Sequence, residues 1–167
     1  GLDVFLRAAA GVLRERSNVR FILIGVGPEE QALRELVAEL GIAAHVIFAG
    51  YRKDMKQVYD STDLVVQSSY TEGMPNVILE ALLMEVPVVA TNVGGTPEVV
   101  DHGRHGILIE PGSPGRLAEE ILRFIHDRPR FQAMARAGRL RVAHEFDSRK
   151  RIERMAHIYN AIMSGST

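Results

Sequence analysis

Two glutamates, Glu72 and Glu80, bracket the segment Gly73-Met74-Pro75-Asn76 at the start of what reads as a helix. Pro75 suits a first helical position, because its φ is already fixed and its missing N–H is not needed there. The amides of Asn76 and Val77 would then lack intrahelical acceptors, and the helix dipole makes that end attractive to an anion. A phosphate or diphosphate is the natural guest. Gly73 lets the backbone turn closely beneath a ligand. Carboxylates accept from hydroxyl groups but not from phosphate. The segment therefore predicts an anion hole between two hydroxyl acceptors, which suits a diphosphate with a sugar at either end. Two solvated glutamates, the second merely favouring the helix, would satisfy the same spacing. The residues alone leave both readings open.

Such a segment needs a frame. Five short apolar runs read as strands, at residues 21–24, 45–49, 64–66, 87–90 and 106–109. They are nearly continuous in apolar residues rather than alternating, as in strands covered on both faces. Helical periodicity fills the intervals, at 2–16, 29–40, 76–84 and, more briefly, 56–61 and 96–100. After Pro111 the strands stop, and 114–126, 128–144 and 149–163 read as helices. Ser113 can cap the first of these, and Asp147 or Ser148 the last. Alternating strands and helices predict an α/β, Rossmann-like, doubly wound parallel sheet with helices on both faces. Ligands of such sheets sit at the carboxyl ends of the strands. The loops of interest are therefore 25–28, 50–53, 68–76, 91–97 and 110–113.

Composition narrows the function. The chain has 167 residues, enough for one domain over residues 1–167. A net charge of −1 gives no reason to expect a polyanionic partner such as nucleic acid. The absence of cysteine excludes disulfides and thiolate metal sites. No run reads as a secretion signal or a membrane span, which predicts a cytoplasmic domain. The six histidines show no ligand spacing and read as surface, loop or packing residues, and no metal is expected. The arginine-rich stretches 136–141 and 149–154 read as solvated helix faces, with contact at the inner face of a membrane as the second reading.

Thr71-Glu72-Gly73-Met74-Pro75-Asn76-Val77-Ile78-Leu79-Glu80-Ala81 resembles the E-x7-E motif of retaining glycosyltransferases with the two-domain GT-B architecture. Ile24-Gly25-Val26-Gly27-Pro28-Glu29 upstream agrees with it. So do Pro87-Val88-Val89-Ala90-Thr91, Gly94-Gly95-Thr96-Pro97-Glu98-Val99-Val100 and Gly106-Ile107-Leu108 downstream. In order and spacing they resemble the carboxyl-terminal, donor-binding domain of family 4 (group 1) glycosyltransferases, over essentially the whole chain. The resemblance implies a role for each matching residue. Glu72 would be the catalytic residue, contacting donor-sugar hydroxyls and holding charge near the reacting centre. Gly73, Met74 and Pro75 would line the sugar pocket. Asn76 and Val77 would offer amides to the diphosphate, and Glu80 would bind ribose. Gly25 and Gly27 would admit the donor to the first loop, and Arg52 would border the base. The implied donor is a nucleotide-sugar, UDP favoured over GDP, with no further cofactor.

The same resemblance implies what lies elsewhere. The family's domain begins with a strand and a loop bearing an Arg and a Lys, ahead of the position of Gly1-Leu2-Asp3. Without that strand, those at 21–24 and 64–66 should face a gap, filled by further polypeptide or by a segment swapped from a neighbour. The acceptor-binding amino-terminal domain would also lie outside the chain, which alone should be inactive. Two rivals from the same fold are a sugar-nucleotide epimerase and a non-catalytic nucleotide-sugar-binding module. A dinucleotide dehydrogenase fits poorly: Gly25-Val26-Gly27-Pro28-Glu29-Glu30 lacks the third glycine of that fingerprint, and carboxylates there would repel a pyrophosphate.

Overall fold

The computed structural model describes residues 1–146 together with 155, 156, 158–160 and 163. Of the helix expected at 149–163, the described residues Met155, Ala156, Ile158, Tyr159, Asn160 and Met163 are helical. The rest of it, and its cap at Asp147 or Ser148, lie outside the described residues.

The chain alternates as expected. α1 (Leu2–Glu15) leads to β1 (Phe21–Ile24), α2 (Glu30–Glu39) and, after a single 3-10 turn at Ala43–His45, to β2 (Val46–Gly50). Then come α3 (Met55–Asp60), β3 (Val65–Gln67), α4 (Asn76–Leu83), β4 (Val88–Thr91), α5 (Thr96–Val99) and β5 (Ile107–Ile109). Two helices, α6 (Pro114–His126) and α7 (Arg128–Glu145), complete the described fold. Ser113 does stand at the cap position of α6, but its hydroxyl makes no capping bond. Asp127 caps α7 by accepting from the Arg130 amide at 3.2 Å.

All strand pairs are parallel, yet they form two sheets: β1 with β2, and β3–β4–β5 in that order. The expected gap lies between β1 and β3. Helices cover both faces of β4, and its alternating side chains enter two cores. Val89 joins Leu6, Val12, Leu117, Ile121 and Phe124 between α1 and α6. Val88 and Ala90 join Tyr59, Ile78, Leu82 and Val142 beneath α3, α4 and α7. Leu6, Val12, Ile78, Leu82 and Leu117 are fully buried, each worth about 1.5–3 kcal/mol of apolar transfer.

The expectation of coverage on both faces fails at the first pair. Phe21 and Leu23 are buried, but Ile22 is 46% and Ile24 39% exposed, and Ile47 on β2 is 48% exposed. An apolar run records what a strand can bury. Coverage also requires a neighbour on the second face, and none of the described elements lies over these three side chains.

Candidate functional site

The segment after β3 is held from below by main chain. Thr91, at the end of β4 and almost fully buried, donates its hydroxyl to the Ser69 carbonyl at 2.7 Å. The Gly95 amide donates to the Gly73 carbonyl at 3.0 Å. Gly94 has φ +50°, and a Cβ there would overlap the Glu72 carbonyl oxygen. No side chain fits between the loops after β3 and β4. α4 starts at Asn76, where the periodicity places it. Pro75 is its N-cap, with φ −79° and ψ 85°, rather than its first helical residue. Ile78 and Leu79 both donate to the Pro75 carbonyl, at 3.0 and 3.1 Å. The expected consequence survives the shift. The Asn76 and Val77 amides precede the first intrahelical bond, and no side chain caps them.

Both glutamates are anchored through one oxygen by neutral donors. Glu72 Oε1 accepts from Ser69 Oγ at 2.7 Å and from Gln67 Nε2 at 2.9 Å. Glu80 Oε2 accepts from the phenol of Tyr59 at 2.9 Å. Tyr59 is buried, and burial together with the bond to Glu80 pushes its phenol above the ordinary range. A lysine or arginine in these places would neutralise the carboxylates. Neutral donors fix them and leave the charge, and one oxygen each, for a ligand's hydroxyls. Met74 and Val77, between the two, are 43% and 48% exposed, whereas Pro75 is fully buried.

The first two loops form a separate group. The Gly25 amide donates to the Gly50 carbonyl at 2.8 Å, joining the ends of β1 and β2. Arg52 forks onto Asp54, with Nε–Oδ1 at 2.9 Å and Nη2–Oδ2 at 2.5 Å. That pair raises the guanidinium pKa and lowers the carboxyl's. Glu72 and Val77 line one wall of the cavity between β1 and β3, to which Ile24 also contributes. Gly25, Gly27 and Arg52 do not line it. The structure thus unites Glu72, Gly73, Pro75, Asn76, Val77 and Glu80 at one place and leaves Gly25, Gly27 and Arg52 across the gap.

Residues 1–127 match the family model for glycosyl transferases, group 1. This chain belongs to that family. It is 31% identical over 146 residues to the N-acetyl-alpha-D-glucosaminyl L-malate synthase of Bacillus anthracis, covering 87% of this chain and 38% of that protein. It is 32% identical over 148 residues to the GDP-mannose-dependent alpha-(1-6)-phosphatidylinositol monomannoside mannosyltransferase of Mycobacterium tuberculosis, covering 83% and 38%. Among solved structures it resembles Anabaena Alr3699/HepE in complex with UDP, with a TM-score of 0.86 and 29% identity, over 94% of this chain and 44% of that one. The same protein is also solved with UDP-glucose. The chain spans about two fifths of the length of the curated relatives it matches.

Within this group 1 glycosyltransferase chain, Tyr59, Gln67, Ser69 and Thr91 had not stood out in the sequence. The only trace was a polar residue, Gln67, ending an apolar strand. One surface reading needs correction. Arg141 is only 19% exposed: it pairs with Asp101 at 2.6 Å and donates to the Glu98 carbonyl at 2.9 Å, fastening α7 beneath α5. Beside it His105 is buried, and its Nδ1 accepts from the Asp101 amide at 3.3 Å. Desolvation lowers the His105 pKa, against the raising effect of Asp101. No helix among the described residues is long and apolar enough to cross a membrane.

Proposed function

We propose that this chain is the donor-binding half of a retaining glycosyltransferase that moves a sugar from a nucleotide-sugar to an acceptor. The observation that carries the reading is the pair of one-oxygen-anchored carboxylates on either side of the free Asn76 and Val77 amides. The diphosphate sits on those amides. Glu80 accepts from ribose hydroxyls with its unanchored oxygen. Glu72 does the same for the donor sugar, and its charge stabilises the positive character that develops at the anomeric carbon. Gly73, Met74 and Pro75 shape the sugar pocket, while Gly25, Gly27 and Arg52 border the base.

In the reaction the bond from anomeric carbon to diphosphate oxygen breaks. The acceptor oxygen bonds to the same face, and its proton leaves with the nucleoside diphosphate. The preorganised amides stabilise the charge gathering on the leaving diphosphate. No residue in this account requires a metal. UDP is the favoured nucleotide, supported by the UDP-bound relative of similar fold. The acceptor is bound by a further domain, so this chain alone is inactive. The full protein acts in the cytoplasm, and the relative named for a phosphatidylinositol-linked acceptor supports a place at the membrane's inner face.

Calorimetric titration with UDP, GDP and NAD tests the reading. UDP should bind, and Glu80→Ala should weaken it by about 1–3 kcal/mol, the range of hydrogen bonds to charged groups and of unmet buried partners. Binding of NAD alone would overturn the assignment. Binding that ignores Glu80→Ala would remove the proposed ribose contact.

A further inference from the structure

We infer that Tyr70, Asn92 and Glu110 form a saccharide subsite for the acceptor, on the side of Glu72 away from the gap between β1 and β3. The inference deepens the reading above and rests on it in one respect: Glu72 marks the place where the donor sugar reacts.

Three strand ends build the subsite. β3, β4 and β5 lie side by side, and their register sets Thr91 of β4 against Ile109 of β5. The next residues, Asn92 and Glu110, therefore leave the sheet as neighbours, and the Asn92 amide still donates to the Ile109 carbonyl at 2.8 Å. On the β3 side the Thr91 hydroxyl holds the Ser69 carbonyl at 2.7 Å, which fixes the main chain leading into Tyr70. The Tyr70 side chain reaches from there across the end of β4 to the loop after β5. A Cβ on Gly112 would stand 3.5 Å from its Cε1 and 4.0 Å from its hydroxyl oxygen. Gly112 has φ +70°, a conformation that disfavours any side chain, so the ring rests on bare main chain.

The three side chains are exposed, Tyr70 to 53%, and none of them makes a hydrogen bond or ion pair among the described residues. Glu72, in the same loop, has two donors on one oxygen. The rim thus offers an aromatic ring with a free phenol, a free carboxamide and a free carboxylate. A pyranose presents the matching surface. Its C–H bonds pack on an aromatic ring, and its hydroxyls both donate and accept. A phosphate does not match, because the Glu110 carboxylate repels it. An aliphatic chain would cover Asn92 and Glu110 without meeting their hydrogen bonds.

Position assigns this saccharide to the acceptor rather than to the donor. Glu72 and Val77 line the cavity toward β1, and Tyr70, Asn92 and Glu110 do not. With its diphosphate on the Asn76 and Val77 amides, the donor occupies that flank of the loop. The incoming hydroxyl must approach Glu72 from a side the donor leaves open, and the rim over β4 and β5 is such a side. In the whole protein the rim supplies one wall of the acceptor site and the further domain supplies the rest. Because Tyr70 precedes Glu72 by two residues in a stitched loop, it ties the acceptor's sugar to the reacting centre.

Saturation-transfer NMR on this chain with UDP present tests the subsite. The probes are the methyl α-glycosides of glucose, mannose and N-acetylglucosamine. At least one should receive saturation from aromatic protons, most strongly on the C–H protons of one ring face. Tyr70→Ala should raise its dissociation constant about fivefold to tenfold, and Tyr70→Phe should largely retain it. Asn92→Ala and Glu110→Gln should each raise it about threefold. UDP affinity, read by calorimetry, should stay within about twofold in all four variants, since none of these residues belongs to the proposed donor contacts. Transfer that is unchanged in Tyr70→Ala, or absent for all three probes, would overturn the subsite. A UDP affinity that falls together with the sugar's would assign these residues to the donor and overturn it as well. The two readings fail separately. A probe that binds through Tyr70 to a chain that does not bind UDP supports the saccharide subsite and removes the donor assignment. UDP binding with no probe bound removes the subsite alone.

Discussion

β4 and β1 are built from the same kinds of residue and share the same parallel pairing, yet all four residues of β4 are buried while β1 alternates between buried and exposed. The loops above them differ in the same sense. Those after β3 and β4 are joined through the Thr91 hydroxyl, the Gly95 amide and the close approach of Gly94. Those after β1 and β2 share the single bond from Gly25 to Gly50. The half with complete sheet neighbours on both sides of its central strand also holds the complete part of the site. Precision at the carboxyl ends follows from closure of the sheet beneath, because a strand end can be placed only as well as the strand itself.

The comparison breaks most visibly in the cores. Leu82→Ala, beneath β4, should lower the unfolding free energy by about 2–5 kcal/mol, since its site is fully buried and closely packed. Ile22→Ala on β1 should cost no more than about 1 kcal/mol. Urea unfolding of the two variants measures the contrast, and an equal penalty for both would erase it. Next comes the stitched loop. Gly94→Ala must expel the Glu72 carbonyl from its place and adopt a left-handed conformation, at about 1–3 kcal/mol. It should also weaken UDP binding, which an equivalent change in the looser half, Gly27→Ala, should do less; calorimetry on both compares them.

Smaller still is Tyr59→Phe. It removes one donor from Glu80 and should cost about 1 kcal/mol of stability, read from thermal melting. The smallest effect is one of pH. Burial holds His105 below the ordinary histidine value of about 6.5, so the unfolded chain takes up the proton first. The stability contributed by the neutral imidazole is full above that value and declines as pH falls through it. His105→Gln should flatten the slope of stability against pH just below 6.5, and an unaltered slope would assign the loss to other groups.

Much of the frame was legible in the sequence. β1 and α6 match their expected limits residue for residue, because turn residues bound the first and Ser113-Pro114 opens the second. The gap between β1 and β3 was expected from the resemblance and is present in the pairing. What sequence order conceals is contact between distant positions. Tyr59 meets Glu80 across 21 residues, and Arg141 meets Asp101 across the packing of α7. Nothing local to either position announces its partner. The exposure of Ile22, Ile24 and Ile47 was hidden for the same reason: their residue types are those of covered strands, and the cover is a separate matter.

One feature of the loop after β3 bears on how such a domain changes its preferences. Its shape is enforced by bonds to the Ser69 and Gly73 carbonyls, by Gly94 and by buried Pro75, while Met74, Asn76 and Val77 point outward without carrying any of that frame. The three outward positions can therefore be exchanged almost independently of folding. A library randomised at 74, 76 and 77 would keep its backbone and vary only the surface of this rim, so selection there tests the proposed donor contacts without unfolding the loop.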